Sequence, residues 1–334
     1  MNLPTLNELE AAAALVHEIV PATPLIRWPL LAERAGVDVW VKHENHTPVG
    51  AFKIRGGLVY MHRLRRTQPN IRGVVAATRG NHGQSVAFAA AQAGIRAVIV
   101  VPQGNSREKN AAMRALGAEL IEHGRDFQDA LEEAVRIAAA ESLHMFPSFD
   151  PSLVCGVGSY ALELFRSGPA FDTVYVPIGL GSGICGTIAA RQALGLETEI
   201  VGVCAAGAPA YALSFTACRP VATASAETIA DGMACRTPNP DAVALLNRFA
   251  ARIVTVDDSE IRSAMQILFS DTHNAAEGAG AAALAALLRE GETMRHRRAA
   301  IILSGGNVDS HTFAEVLAGQ VSGDHPGGAD RQEP

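Results

Sequence analysis

The sequence predicts an α/β protein with two mostly parallel sheets, and three observations lead there. From Gly73 onward, short apolar runs alternate with helix-patterned segments; a second, less regular series of the same kind follows; and glycines sit directly after some of the helices. Taken in order, residues 1–20 read as a helix capped by Thr5 or Asn7. The segment carries acidic residues and has no basic region ahead of a long apolar run, so it is not read as a signal peptide. Residues 39–43 read as a strand of the larger, later sheet, which makes the regular block an insertion. That block pairs strands at 74–77, 97–101 and 119–122 with helices at 84–93, 107–116 and 127–140. Gly94 and Gly117 fall where a left-handed helix cap favours glycine. The second series places strands at 173–177, 199–204, 252–256 and 299–303, separated by helices. The expected organisation is a large domain from 1–68 and 152–320, a small inserted α/β domain at 69–151, and a disordered tail rich in Gly, Pro and charge at 321–334.

At 334 residues, 48% hydrophobic and 19% charged, the chain can bury two domain-sized cores and is too apolar to be disordered. A net charge of −6 and a pI near 6.0 offer no basic field for nucleic acid, and the basic clusters at 63–66 and 295–298 read as solvated faces. No uninterrupted apolar run approaches the ~20 residues needed to cross a bilayer, so a membrane is not expected as a partner. Cys155, Cys185, Cys204, Cys218 and Cys235 occur singly, without the spacing of a zinc site or a redox dithiol. Most read as small buried residues in a reducing cytoplasm.

Only three of the 28 basic side chains are lysines: Lys42, Lys53 and Lys109. Lys53 lies in the glycine-bracketed run Gly50-Ala51-Phe52-Lys53-Ile54-Arg55-Gly56-Gly57. Guanidinium stays protonated, whereas a lysine among apolar neighbours can lose its proton and attack a carbonyl, so Lys53 is a candidate Schiff-base nucleophile. From this run alone, a surface lysine beside a turn fits equally well. Thr78-Arg79-Gly80-Asn81-His82-Gly83-Gln84 lies between an expected strand and helix, where exposed N–H groups favour an anion such as a substrate carboxylate. Alternatively, Asn81 only caps the helix and His82 is an ordinary polar residue of its first turn.

Gly179-Leu180-Gly181-Ser182-Gly183 follows a strand and opens a helix, so its backbone can approach and hydrogen-bond a phosphate. Gly181, Gly183 and Gly186 also satisfy the dinucleotide pattern. The acidic residue which that fold needs about 20 positions later is missing from Val203-Cys204-Ala205-Ala206, and this argues against a nicotinamide cofactor. The hydroxyl of Ser304-Gly305-Gly306-Asn307 could meet a ligand at a strand's carboxyl end, or the segment could be a plain turn. Glu277-Gly278-Ala279-Gly280 reads as a helix start.

Taken together and in order, Thr47-Pro48-Val49-Gly50-Ala51-Phe52-Lys53-Ile54-Arg55-Gly56, Gly80-Asn81-His82-Gly83-Gln84, the glycine loop, Glu227-Thr228-Ile229-Ala230-Asp231-Gly232 and Ser304-Gly305-Gly306-Asn307 resemble the fold-type II pyridoxal-phosphate enzymes. The resemblance covers about residues 20–318 and is to the threonine/serine dehydratase and serine racemase group in particular. It implies a tryptophan-synthase-β-like fold of two doubly wound domains, with pyridoxal 5'-phosphate in the cleft between them. It also implies that Lys53 holds the cofactor aldehyde and then shuttles the α-proton, while Gly179, Leu180, Gly181, Ser182 and Gly183 bind the phosphate. Phe52 would pack near the ring, Asn81 would hydrogen-bond the ring hydroxyl, and Ser304 would face the pyridine nitrogen. Thr78, Arg79, Gly80, Asn81 and His82 would bind the substrate. A serine leaves the ring nitrogen essentially neutral, which suits elimination better than transamination.

Three departures qualify that resemblance. Ala51 replaces the serine common before Phe-Lys. Arg79 stands where the racemases carry a serine that serves as base on the second face, and an arginine with a pKa above ~12 makes racemisation less expected. Cys204 and Ala210 occupy positions where metal-dependent relatives place carboxylates, so no metal site is expected. The expected activity is elimination of water from a β-hydroxy-α-amino acid such as L-threonine or L-serine, giving a 2-oxo acid and ammonia. Phenylserine and 3-hydroxyaspartate are further candidate substrates, and an amino-acid racemase or β-replacement enzyme of the same fold is the alternative. The resemblance also suggests a cytoplasmic homodimer without the regulatory domain of biosynthetic threonine dehydratases.

Overall fold

The computed structural model describes residues 1–319, so the tail expected to be disordered, 321–334, lies outside the described residues. The strands are β1 (Leu25–Ile26), β2 (Asp38–His43), β3 (Gly73–Ala77), β4 (Arg96–Val101), β5 (Glu119–Glu122), β6 (His144–Met145), β7 (Thr173–Pro177), β8 (Glu199–Ala205), β9 (Arg252–Val256) and β10 (Arg298–Leu303). They form a six-stranded sheet of order β1-β2-β10-β7-β8-β9 and a four-stranded sheet of order β5-β4-β3-β6. Every pairing is parallel except that of β1 with β2. The chain between β2 and β7 builds the whole of the smaller sheet.

Burial on both faces explains why these strands read as continuous apolar runs. All five residues of β3 are buried; Val74 and Ala76 enter one core, and Val75 and Ala77 the other. In β10, Ile301 and Leu303 face the core that holds the alanine-rich helix Gly278–Arg289. Ala300 and Ile302 face the opposite core, which contains helices Pro151–Ser167 and Ser182–Ala193. At the first helix, Thr5 rather than Asn7 is the cap: its hydroxyl and Glu8 form a reciprocal capping box. Gly94 and Gly117 adopt positive φ values of 64° and 88° just past their helices. Cys185, Cys204 and Cys235 are buried, but Cys155 is only half-buried and Cys218 is exposed.

Helix Lys53–Thr67 is tied to the body of the protein by a largely buried charge network. Arg55 donates to Glu44 at 2.7 Å and to Glu163 at 2.6 Å, and also to Ser159 at 3.0 Å. Lys42 donates to Glu163 and to the Thr23 carbonyl, so two cations and two carboxylates satisfy one another. Burial works against the Arg55 guanidinium, but Glu44 and Glu163 more than reverse it and keep it charged.

Parallel strands share a direction, so the segments after β2, β10 and β7 leave from one edge, with β10 central. Ligands of open α/β sheets bind outside such carboxyl ends. The run to Lys53 follows β2, Ser304 follows β10, and the glycine loop follows β7. Thr78 to Asn81 occupy the corresponding end of β3 in the smaller sheet.

Candidate active site

Lys53 opens its helix, and its backbone is fixed from two sides. The Phe52 N–H donates to the Ser304 carbonyl at 3.0 Å, and Ala51 bridges Gly305. Ser85 donates to the Lys53 carbonyl at 2.7 Å. Gly50 has a φ of +66°, and a side chain there would collide with Asn307 Oδ1, 2.6 Å from the position of a Cβ. The Lys53 amine lies 3.4 Å from Ser182 Oγ and 5.0 Å from the centre of the Phe52 ring. Burial pushes the ammonium down to about 8, against the pull of Glu277. Half-buried His82 is pushed down to about 3, mainly by burial and further by the Lys53 charge, so it is neutral at pH 7. Its Nε2 has no partner within the described residues.

The glycine loop can come close to a ligand because little fits on it. Gly181 takes a φ of +99°, and a Cβ there would lie 2.7 Å from the Ala242 Cβ. At Gly179 a Cβ would lie 2.3 Å from the Gly232 carbonyl oxygen, and at Gly183 it would lie 3.5 Å from the Phe52 ring. Tyr211 donates to the Leu180 carbonyl at 2.8 Å, and Tyr160 to that of Gly183 at 3.0 Å. Helix Ser182–Ala193 starts here without a side-chain cap, so its first N–H groups are available to an anion. A cradle that a Cβ would fill, beside an amine of lowered basicity, fits a phosphorylated aldehyde.

The segment Thr78 to His82 divides its work. Buried Thr78 accepts from the Gly80 N–H at 3.0 Å and the Gly83 N–H at 3.2 Å, so Thr78 braces the start of helix Asn81–Gln92. The cap considered for Asn81 is therefore supplied by Thr78, and Asn81 is the first helical residue. Arg79 is exposed and has no hydrogen bond or ion pair among the described residues. Gly80 is buried, with Lys109 Cδ 2.7 Å from the position of a Cβ. Asn81 Nδ2 donates to Glu277 Oε1 at 2.6 Å, and its Oδ1 accepts from Asn307 Nδ2 at 2.8 Å.

Ser304 is buried at the end of β10, and its hydroxyl makes no hydrogen bond among the described residues. Sequence reasoning missed Glu277, read only as a helix start, whose N–H donates to the Gly305 carbonyl at 3.2 Å. Glu277 is buried beside Asn81, and Lys109 lies 3.8 Å from its second oxygen. Burial pushes Glu277 up to about 7, Lys109 pulls it down and Asp231 pushes it up. Lys109 itself pairs closely with Asp231. The scarcity of lysine, applied to all three, could have singled out Lys109, since none of the three is a free surface residue. Cys204 is buried in β8, Ala210 opens helix Ala210–Ala217, and no cluster of metal-ligating side chains occurs among the described residues.

The family model for pyridoxal-phosphate dependent enzymes matches residues 16–305. The chain belongs to that family, and its cofactor is pyridoxal 5'-phosphate. It is 33% identical to the L-threonine ammonia-lyase of Thermotoga maritima, over 94% of this chain and 78% of the relative. It is 30% identical to the L-threo-3-hydroxyaspartate ammonia-lyase of Saccharomyces cerevisiae, over 97% and 99%. The biosynthetic L-threonine dehydratase of Pasteurella multocida is 32% identical, and the match spans 90% of this chain but 59% of that protein. Among solved structures, maize serine racemase superposes with a TM-score of 0.88 at 28% identity, covering 95% of this chain and 98% of the other. The processed threonine deaminase isoform 2 of Solanum lycopersicum gives 0.86 at 28%, covering 94% of each.

Proposed function

We propose that the protein is a pyridoxal-phosphate-dependent ammonia-lyase that eliminates water from a β-hydroxy-α-amino acid, with L-threonine or L-serine as the default substrate. The observation that carries this is the Lys53 amine, held down to about 8 beside the cradle of the glycine loop. Lys53 would hold the cofactor aldehyde, and Gly179, Leu180, Gly181, Ser182 and Gly183 would hold its phosphate. Phe52 would pack by the ring, Asn81 would donate to the ring oxygen, and Ser304 would face the ring nitrogen. The bound cofactor supplies an electron sink for the charge left when the α-proton departs. Lys53 Nζ, as a free amine, would be the group placed to take that proton. Thr78, Arg79, Gly80, Asn81 and His82 would line the substrate side, with the helix start binding its carboxylate. The released enamine hydrolyses to a 2-oxo acid and ammonia.

Release of 2-oxo acid and ammonia in equal amounts from threonine, serine, phenylserine and 3-hydroxyaspartate tests the proposal. Accumulation of the other enantiomer alone, or of a thioether when a thiol is supplied, would replace it with a racemase or β-replacement enzyme. Arg79 has no ion pair among the described residues to hold it on the surface, so we assign it to the choice of β-substituent. Arg79→Ala should change the ranking of those substrates by kcat/KM, losing about 1–3 kcal/mol for a substrate whose carboxylate or hydroxyl it contacts. An unchanged ranking would return Arg79 to a surface role.

No helix among the described residues is long and apolar enough to cross a membrane. We read the protein further as a cytoplasmic homodimer, supported by the family resemblance and singly spaced cysteines; light scattering at twice 35.0 kDa would bear out the dimer. Two domains, 1–68 with 152–320 and 69–151, are supported by the two separate sheets, although helix Lys53–Thr67 adds Ile54, Leu58, Met61 and Leu64 to a core of the smaller one.

A further inference from the structure

The direction of the Asn81 amide can be worked out from the backbone. Asn307 Nδ2 lies 2.8 Å from the Val49 carbonyl oxygen, which can only accept, so that end of Asn307 is the NH2. The same NH2 lies 2.8 Å from Asn81, which must therefore offer its oxygen. The Asn81 NH2 then points to Glu277 Oε1 at 2.6 Å and keeps one hydrogen for another acceptor. The chain of donors ends on Glu277, and it holds its direction best when Glu277 is a carboxylate.

Glu277 is 3% exposed, and its second oxygen has no hydrogen bond among the described residues. The charged groups around it are Lys109 from helix Arg107–Ala115, Asp231 from the 3-10 turn Asp231–Met233, and Lys53. Lys109 is 7% exposed, and its stem fills the space left by the absent side chain of Gly80. Its amine contacts Asp231 closely and lies 3.8 Å from Glu277 Oε2. Glu277 also precedes helix Gly278–Arg289, whose N-terminus adds a smaller preference for negative charge.

We propose that Lys109 is a positioning residue: it holds Glu277 as the acceptor that fixes Asn81 with its free hydrogen toward the cofactor ring. This rests on the reading that Asn81 faces that ring. Lys109 touches no reacting atom in this account. It acts through Glu277, and because it comes from the smaller sheet's helices, the same ion pairs join the two sheets across the site.

The test uses full-length protein labelled with 13C at the glutamate side-chain carboxyl, with Glu277→Gln identifying the Glu277 signal. Lys109→Met should raise the titration midpoint of Glu277 by about one pH unit or more, as loss of an adjacent opposite charge does, while Lys109→Arg keeps it near the wild-type value. In cofactor-loaded protein, Lys109→Met should also move the pH midpoint of cofactor absorbance, and this movement should vanish in the Glu277→Gln background. An unchanged Glu277 midpoint in Lys109→Met would overturn the proposal. So would an absorbance shift that persists without Glu277, since Lys109 would then act on the ring directly. The carboxyl titration can be read without cofactor, so failure of the Lys53 assignment is distinguishable from failure of this one.

Discussion

Lys53→Ala is expected to retain the fold and lose at least about 10³-fold in turnover, because in the proposed mechanism one amine both holds the cofactor and carries the α-proton. The substituted side chain makes one long hydrogen bond, to Ser182, and the backbone anchors at Phe52, Ser304 and Ser85 do not involve it. Circular dichroism and kinetics on the same preparation check the two halves of this expectation. A variant with near wild-type turnover would mean that another group does the work. The wild type has a pH signature as well. Only the neutral amine attacks an aldehyde, and burial lowers the Lys53 midpoint to about 8 from 10.5, so the rate of cofactor uptake should rise with pH through about 8. A rise centred near 10.5 would contradict the burial of that amine.

Arg55→Met should produce the largest loss of stability. Arg55 and Glu44 are both 0% exposed, and removing one partner of a buried pair leaves the other charge uncompensated, at about 3–5 kcal/mol. Lys42 remains to balance only part of Glu44 and Glu163. Burial raises Glu163, but Arg55 and Lys42 more than reverse this and hold it to about 2, from 4.5. Its contribution to stability is thus present above 4.5 and is lost as pH falls towards 2; in the variant, which lacks the Arg55 charge that depresses Glu163, that pH-dependent contribution should be smaller. Urea unfolding across that range measures both effects. A loss below about 1 kcal/mol would show that water reaches the network freely.

The strands were legible because burial on both faces leaves a mark in the sequence: Val74 to Ala77 and Ala299 to Leu303 are apolar at every position. The motif loops were legible because glycine is required where a chain turns with positive φ, as at Gly181, or lets another group approach closely, as at Gly179 and Gly80. What was not legible depends on segments distant in the chain. Lys109, Asp231 and Glu277 belong to three separate elements, so neither their ion pairs nor the altered basicity of Glu277 leaves a local pattern. Asn81 was considered as a cap because its position suits one, yet Thr78 makes those contacts and releases Asn81 to face Glu277 and Asn307. In the sequence Arg55 is only one member of the glycine-bracketed run around Lys53, and the packing of its helix shows it as the centre of a buried network.

The most direct measurement exploits the scarcity of lysine. Borohydride reduction of cofactor-loaded protein fixes the cofactor covalently to the amine that held it, and peptide mass mapping then locates the modified residue among Lys42, Lys53 and Lys109. Stoichiometric modification of Lys53, with Lys42 and Lys109 unmodified in their ion pairs, is the expected result. Cofactor fixed mainly at Lys109 or Lys42, or released unmodified after reduction, would contradict the assignment of Lys53 and with it the proposed mechanism.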